Sequence, residues 1–314
     1  MKNSKLVIVS GPTAVGKSKL AIALAKRING EIISADSMQV YKHMDIGSAK
    51  IKEEEKKGIT HYLIDVLEPS ESFHVVLFKE LALSAIKKIY DKNKIPIIVG
   101  GTGFYIQALL YDVNFKENNN QEEYEKKYIE FLQENSKSKL HMLLEKCDPD
   151  SAKIIHENNV KRVIRALVYY DIHGECISKH NKQEHEKESV FDSKYFVVTE
   201  KRETLYKKIN QRVDMMIEEG LVKEVKGLIK MGCKKEWVSM QGLGYKEIFS
   251  YIKGEYSLEK AISLIKQGSR HYAKRQLTWF RREKNVIWIE KEKFNQEQET
   301  ILQYMEQQIY GSKN

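Results

Sequence analysis

Leu6-Val7-Ile8-Val9 is an unbroken apolar, mostly β-branched run, the pattern of a strand buried on both faces. A Gly-bounded turn follows. Ser18 to Ile28 then repeats Leu20, Ala21, Leu24 and Ile28 at helical spacing. Glu31-Ile32-Ile33-Ser34 reads as a second strand, Phe73 to Tyr90 as a helix and Ile95 to Val99 as another buried strand. Strand, helix and strand in alternation predict an α/β fold, a parallel sheet flanked by helices.

The pattern changes near Asn114. Residues 114–193 hold Asn118-Asn119-Asn120, Glu/Lys-rich helical stretches and a hydrophilic run, Ser178 to Ser189, read as a solvated polar loop. Tyr195 to Thr199 returns to strand character. Helices are expected over Arg202–Ile217, Leu221–Met231 and Ser257–Arg282, then a strand at Val286–Ile289 and a helix over Asn295–Tyr310. The expected organisation is a core of 1–113 and 194–314, interrupted by a helical insertion at 114–193. No internal repeat is visible.

Composition narrows the class. With 41% hydrophobic and 31% charged residues, and only 4 Pro, the chain is globular and not a disordered linker. A net charge of +9 favours a polyanionic partner, against the plainer reading of a general lysine bias. Cys147, Cys176 and Cys233 form no C-x-x-C pair, which fits a reducing cytosol. The first apolar run breaks at Gly11-Pro12, too short for a signal segment or membrane span, so a cytoplasmic protein without a membrane role is expected.

Gly11-Pro12-Thr13-Ala14-Val15-Gly16-Lys17-Ser18 fits G-x-x-x-x-G-K-[ST], set between a buried strand and a helix as a nucleotide-type phosphate loop requires. Its N–H groups and the helix N-terminus can cradle phosphate oxygens, with Lys17 as a point charge and Ser18 as a Mg²⁺ ligand. Such a loop specifies a di- or triphosphate without specifying a nucleotide. Asp36, with Ser37-Met38-Gln39, follows the second strand on the expected ligand side; it is a general base, a metal ligand or a turn residue. Gly100-Gly101-Thr102-Gly103 stands where many ATP hydrolases carry a Mg²⁺-binding Asp; Asp65 is the substitute candidate. Arg270 to Arg282 interleaves basic and aromatic residues, reading either as phosphate contacts or as a solvated face with inward aromatics. Lys161-Arg162-Val163-Ile164-Arg165 and Gln241-Gly242-Leu243-Gly244-Tyr245-Lys246 are weaker candidates for gripping RNA or stacking a base. His173, Cys176, His180 and His185 match no usual zinc spacing.

Taken together, GPTAVGKS at 11–18, ADSMQVYKHMDIGSAK at 35–50, HYLIDV at 61–66, VGGTGFYIQALL at 99–110, KRVIRAL at 161–167, INQRVDMMIEEGLVKEV at 209–225, QGLGYKEI at 241–248 and HYAKRQLTWFRR at 271–282 resemble the tRNA dimethylallyltransferases. The resemblance runs through nearly the whole chain. It implies a P-loop NTPase-like core with the insertion as an anticodon-arm clamp. It implies transfer of a dimethylallyl group from dimethylallyl diphosphate to N6 of a flipped-out adenine-37, beside the tRNA anticodon. Residues 11–18 would bind diphosphate, with Lys17, Arg212 and Mg²⁺ on Ser18 neutralising it and Asp36 as base. Asp36 to Gln39, Thr102, 161–165 and 241–246 would meet tRNA. No ATP hydrolysis is implied, and a monomer is expected. The family pattern differs at His61-Tyr62, Ser48 and Ile51, and the end at Asn314 without a Cys/His finger resembles bacterial members. The rivals are an isopentenyltransferase acting on free adenine nucleotides, a nucleotide kinase and a non-catalytic RNA-binding protein.

Overall fold

A computed structural model describes residues 5–115 and 121–311. Asn118 to Asn120 and Met1 to Ser4 therefore lie outside the described residues. The chain forms two compact units, one of residues 1–110 with 189–314 and one of 111–188. Composition alone drew the second unit at 114–193.

The first unit is built on a six-stranded parallel sheet. Its strands are β1 (Lys5–Ser10), β2 (Gly30–Ser34), β3 (His61–Tyr62), β4 (Ile95–Gly100), β5 (Asp192–Thr199) and β6 (Val286–Glu290), in spatial order β3-β2-β4-β1-β5-β6. β1 is central, with Val9 beside Val99 on one side and Phe196 on the other. Leu6 to Val9 are at most 1% exposed, as expected of a strand covered on both faces. The helices are α1 (Lys17–Arg27), the short α2 (Glu53–Lys56), α3 (Val75–Asp91) and α4 (Gly103–Leu110). The order of strands reverses around β1, so ligands are expected at the carboxyl ends of β1 and its neighbours. β3 was missed in the sequence because two residues carry no periodicity.

The second unit is helical: α5 (Gln121–Glu134), α6 (Lys137–Cys147), α7 (Pro149–Ile154), α8 (Val160–His173) and α9 (Ile177–Glu186). Its own core includes Tyr128, Leu140, Leu144, Val163 and Leu167. Asp148 caps α7 and also accepts from Ser178 N and Oγ, tying α7 to α9 through one buried carboxylate. The hydrophilic run from Ser178 is corrected here. It is largely helix, because Lys, Gln and Glu are good helix formers even without an apolar stripe. His173 and His180 pack on the Tyr169 ring, and the side chain of His185 lies outside the described set.

Chain order returns to the first unit with α10 (Arg202–Glu218), α11 (Leu221–Lys230), α12 (Tyr245–Ile252), α13 (Leu258–Phe280) and α14 (Gln298–Tyr310). A 3-10 turn, Lys291–Phe294, follows β6.

Candidate active site

The phosphate loop leaves β1 through a run of left-handed backbone: Ala14 at φ 64° and Gly16 at φ 86°, after Gly11 at φ 146°. That alternation turns successive N–H groups toward one point, an anion nest at the N-terminus of α1. Gly11 is required on a second count, since a Cβ there would collide with the Val198 carbonyl of β5. The loop is tethered from outside. Lys291 Nζ donates to Val15 O at 2.6 Å, and Thr13 N donates to Gln276 Oε1 at 2.9 Å.

The carboxyl end of β4 is fitted to its neighbours by absence of side chains. A Cβ on Gly100 would strike Ala35, on Gly101 the Gln276 amide, and on Gly103 the Trp279 ring. Ser10 Oγ donates to Gly100 O at 2.6 Å, Gln276 Nε2 to Gly101 O at 2.9 Å, and Thr102 N to Ala35 O at 3.3 Å. The glycines thus admit a buried side-chain bridge where an ATP hydrolase would hold an acid. Asp65, the substitute candidate, instead pairs with Lys50, which also donates to Tyr41 O at 2.7 Å.

Asp36 follows β2 on the same side of the sheet. Its Oδ1 accepts from Met38 N at 2.9 Å and Gln39 N at 3.4 Å, an Asx turn. The turn reading of Asp36 therefore holds, and it also aims the carboxylate. Asp36, Lys17 and Arg212 line one cleft of about 1410 Å³, with Thr13, Ser18 and Tyr272. Burial pushes the Lys17 ammonium down to about 8, opposed by Asp36 and reinforced by Arg212. Burial lowers Arg212 from the usual guanidinium value, opposed again by Asp36. Two desolvated cations share one carboxylate, so this end of the cleft is short of negative charge. Burial first, then the Asp36 charge, pushes the Tyr272 phenol up to about 12, so it stays protonated. The rest of the cleft is partly apolar, with Ile46, Ile51, Ile64 and Met216.

One wall of the cleft is held by Glu224 of α11. Its Oε2 accepts from Asp45 N at 2.9 Å and Ile46 N at 2.7 Å; its Oε1 accepts from Gly47 N at 3.1 Å and Tyr245 Oη at 2.8 Å. Tyr245 Oη also accepts from Ser48 N at 3.1 Å. Gln39 Nε2 donates to Ala49 O at 3.3 Å from the other side.

Several expectations are corrected. Tyr245 is fully buried beneath Gly47 and presents no ring face to a base, because its hydroxyl completes the Glu224 network. Val163 is fully buried and Ile164 8% exposed, so both serve the helical core; Lys161, Arg162 and Arg165 are exposed on the other face of α8. In α13, Arg270 donates to Asn210 Oδ1 at 2.7 Å and Arg275 lies over the Tyr272 ring; Lys274 and Arg275 are exposed, as are Arg281 and Arg282 just past the end of the helix. Gly242 packs on Met38, and Gln241 and Lys246 keep access to solvent. Among the described residues, no three His, Cys, Asp or Glu side chains group as metal ligands. The exposed Ser18 hydroxyl suits a Mg²⁺ that keeps its waters and arrives on the substrate's phosphates, not one caged by protein.

Gln276, Lys291, Glu224 and the role of Tyr272 were not read from sequence. The available signal for Gln276 was its place one turn after Tyr272 on an otherwise basic helix.

A family model described as "IPP transferase" matches residues 39–283. The chain belongs to the IPP transferase family. The tRNA dimethylallyltransferase of Lachnoclostridium phytofermentans is 57% identical over 92% of this chain and 93% of its own. That of Acetivibrio thermocellus is 50% identical over 94% and 95%. The solved tRNA isopentenylpyrophosphate transferase of Bacillus halodurans superposes with a TM-score of 0.73 at 42% identity, covering 98% of this chain and 97% of that one. A eukaryotic dimethylallyltransferase acting on tRNA superposes at 0.72 and 32% identity, over 88% of this chain and 69% of its own. Like these IPP transferases, the chain carries a parallel sheet with flanking helices. The family match begins after Asp36 and the phosphate loop.

Proposed function

We propose that this IPP transferase moves the dimethylallyl group of dimethylallyl diphosphate onto N6 of adenine-37 in tRNA, releasing diphosphate. The observation that carries this reading is the pairing of Lys17 and Arg212 with a single carboxylate, Asp36, beside an apolar cleft wall. The excess cationic charge suits a diphosphate, and Ile46, Ile51, Ile64 and Met216 suit its hydrocarbon tail.

The phosphate loop binds the diphosphate through N–H groups beyond Thr13, whose own N–H is committed to Gln276. As the C1–O bond breaks, its electron pair moves to the leaving diphosphate. Lys17 and Arg212 stabilise that charge more in the transition state than in the ground state. Ser18 would hold Mg²⁺, which adds Lewis-acid neutralisation of the diphosphate. The adenine N6 lone pair forms the new bond to C1. N6 is a weak nucleophile because that lone pair is delocalised into the ring. Asp36, held by its turn, accepts the N6 proton. Neutral Tyr272, beside Asp36, is able to donate a hydrogen bond. The exposed Lys161, Arg162 and Arg165 offer phosphate contacts to the anticodon arm. Action in the cytoplasm is part of the proposal. No described helix is long and apolar enough to cross a membrane, and all three cysteines are free thiols.

The test is incubation with radiolabelled dimethylallyl diphosphate and unmodified tRNA or AMP, without ATP. Label is expected in tRNA. Asp36→Asn is expected to lower turnover by about 10²–10⁴-fold with tRNA binding retained. Label in AMP but not in tRNA would favour a free-nucleotide enzyme, and full activity of Asp36→Asn would leave Asp36 as a turn residue alone.

A further inference from the structure

We propose that Gln276 is a positioning residue that keeps the two halves of the active site in register, so that the isoprenyl group is captured by N6 and not by water. The inference rests on the transfer reaction proposed above and concerns a residue outside its phosphate, base and RNA contacts.

Gln276 is 5% exposed, and both ends of its amide are used. Its carbonyl accepts from Thr13 N and its NH₂ donates to Gly101 O, each at 2.9 Å. The orientation is unambiguous, since a backbone N–H can only donate and a carbonyl can only accept. Among the described residues, no backbone hydrogen bond joins these two partners directly. The β1–β4 ladder ends at Ser10 and Gly100, and each strand then runs into its own loop. One loop is the phosphate cradle. The other carries Thr102, whose N–H is bonded to Ala35, the residue before Asp36. Gln276 is thus a rigid spacer between the loop that holds the leaving group and the turn that carries the base side. Gly101 leaves the room it needs, because a Cβ there would occupy the place of the Gln276 Nε2.

The chemistry makes that spacing matter. Once the C1–O bond lengthens, C1 is captured by whichever nucleophile lies within about 3–3.5 Å. With N6 in place, the products are prenylated adenosine and diphosphate. With N6 displaced, a water oxygen bonds to C1, the water releases a proton, and the products are dimethylallyl alcohol and diphosphate. Neither route involves a change of oxidation state. A loosened spacer therefore alters the partition between products as well as the rate.

The experiment compares wild type with Gln276→Glu and Gln276→Met, each checked for native circular dichroism. Doubly labelled dimethylallyl diphosphate gives diphosphate released and prenyl group in tRNA from the same reaction. Gln276→Glu keeps the acceptor for Thr13, loses the donor to Gly101 and reports even if the Met variant fails to fold. Transfer kcat is expected to fall about 10–100-fold, the scale of an ångström-level misplacement. The KM for tRNA should stay within about threefold. Diphosphate released per prenyl group transferred should rise at least about fivefold in the variants. A structural role alone would lower both products together. A folded variant with the wild-type product ratio overturns the proposal. Failure of the wild type to label tRNA at all overturns the transfer reading instead, so the two failures are distinct.

Discussion

Replacing Glu224 by Gln isolates the network that shapes one wall of the cleft. The side chain keeps its length and planarity, but one acceptor oxygen becomes an NH₂. If the NH₂ faces Asp45 and Ile46, two backbone donors lose their acceptor. If it faces the other way, the Tyr245 hydroxyl can rotate to accept from it, and Gly47 N–H and the Tyr245 hydroxyl proton are the donors that lose Oε1. The second arrangement is the cheaper. An orphaned donor costs about 1–3 kcal/mol, and the surviving bonds lose the charge assistance of a carboxylate, about 1 kcal/mol more. The expected destabilisation is about 2–4 kcal/mol. At about 1.5 °C per kcal/mol for a chain of 314 residues, the melting midpoint should drop by about 3–6 °C. Thermal melts followed by circular dichroism measure it. Because Ile46 and Ala49 line the cleft, the KM for dimethylallyl diphosphate should rise several-fold while the Arg212 chemistry is intact. A stability change below about 0.5 kcal/mol, the scale of an ordinary surface substitution, would refute the reasoning.

Three further outcomes follow from charge. Lys17 is held at about 8 against an unfolded value of 10.5, so between those pH values the unfolded chain binds the proton that the folded chain has released. Stability of the unliganded protein should therefore gain a rising contribution from about pH 8 to 10.5, and Lys17→Met should remove it in pH-dependent melts. Diphosphate affinity of wild type should weaken over the same range, measured by calorimetry, since the neutral amine loses its attraction for the ligand. Arg162→Ala with Arg165→Ala should shallow the salt dependence of tRNA binding, by about 0.7 in log–log slope per lost single-strand phosphate contact. The affinity for dimethylallyl diphosphate should be unchanged; an unaltered slope would remove α8 from the RNA surface.

The buried strands were legible because burial on both faces leaves an unbroken apolar run, as in Leu6 to Val9. The phosphate loop was legible because its backbone curvature demands glycine at fixed spacing. Asp36 stood out by its place after a strand. The roles of Gln276 and Glu224 were not legible, because each bonds to main-chain groups far away in sequence, and such partners leave no local pattern. Tyr245 misled for a related reason: an aromatic beside glycines reads as exposed, yet here Gly47 makes room for its ring to be buried. The polar α9 was missed because periodicity reports an apolar stripe, and a helix of Lys, Gln, Glu and His carries little of one.

The central place of β1 has a consequence for how the chain is made. Ser10 pairs with Gly100 on one side but with Val197 on the other, and α5 to α9 lie between those partners in sequence. On a ribosome adding about 5–20 residues per second, the strand leading into the phosphate loop waits on the order of 10–40 s for its second neighbour. During that interval one edge of β1 is an open hydrogen-bonding template made of Leu6 to Val9, the kind of edge that recruits other chains. The helical unit can bury its own core meanwhile, but it cannot close that edge. Nascent chains stalled before Thr199 should thus be the ones that need a chaperone.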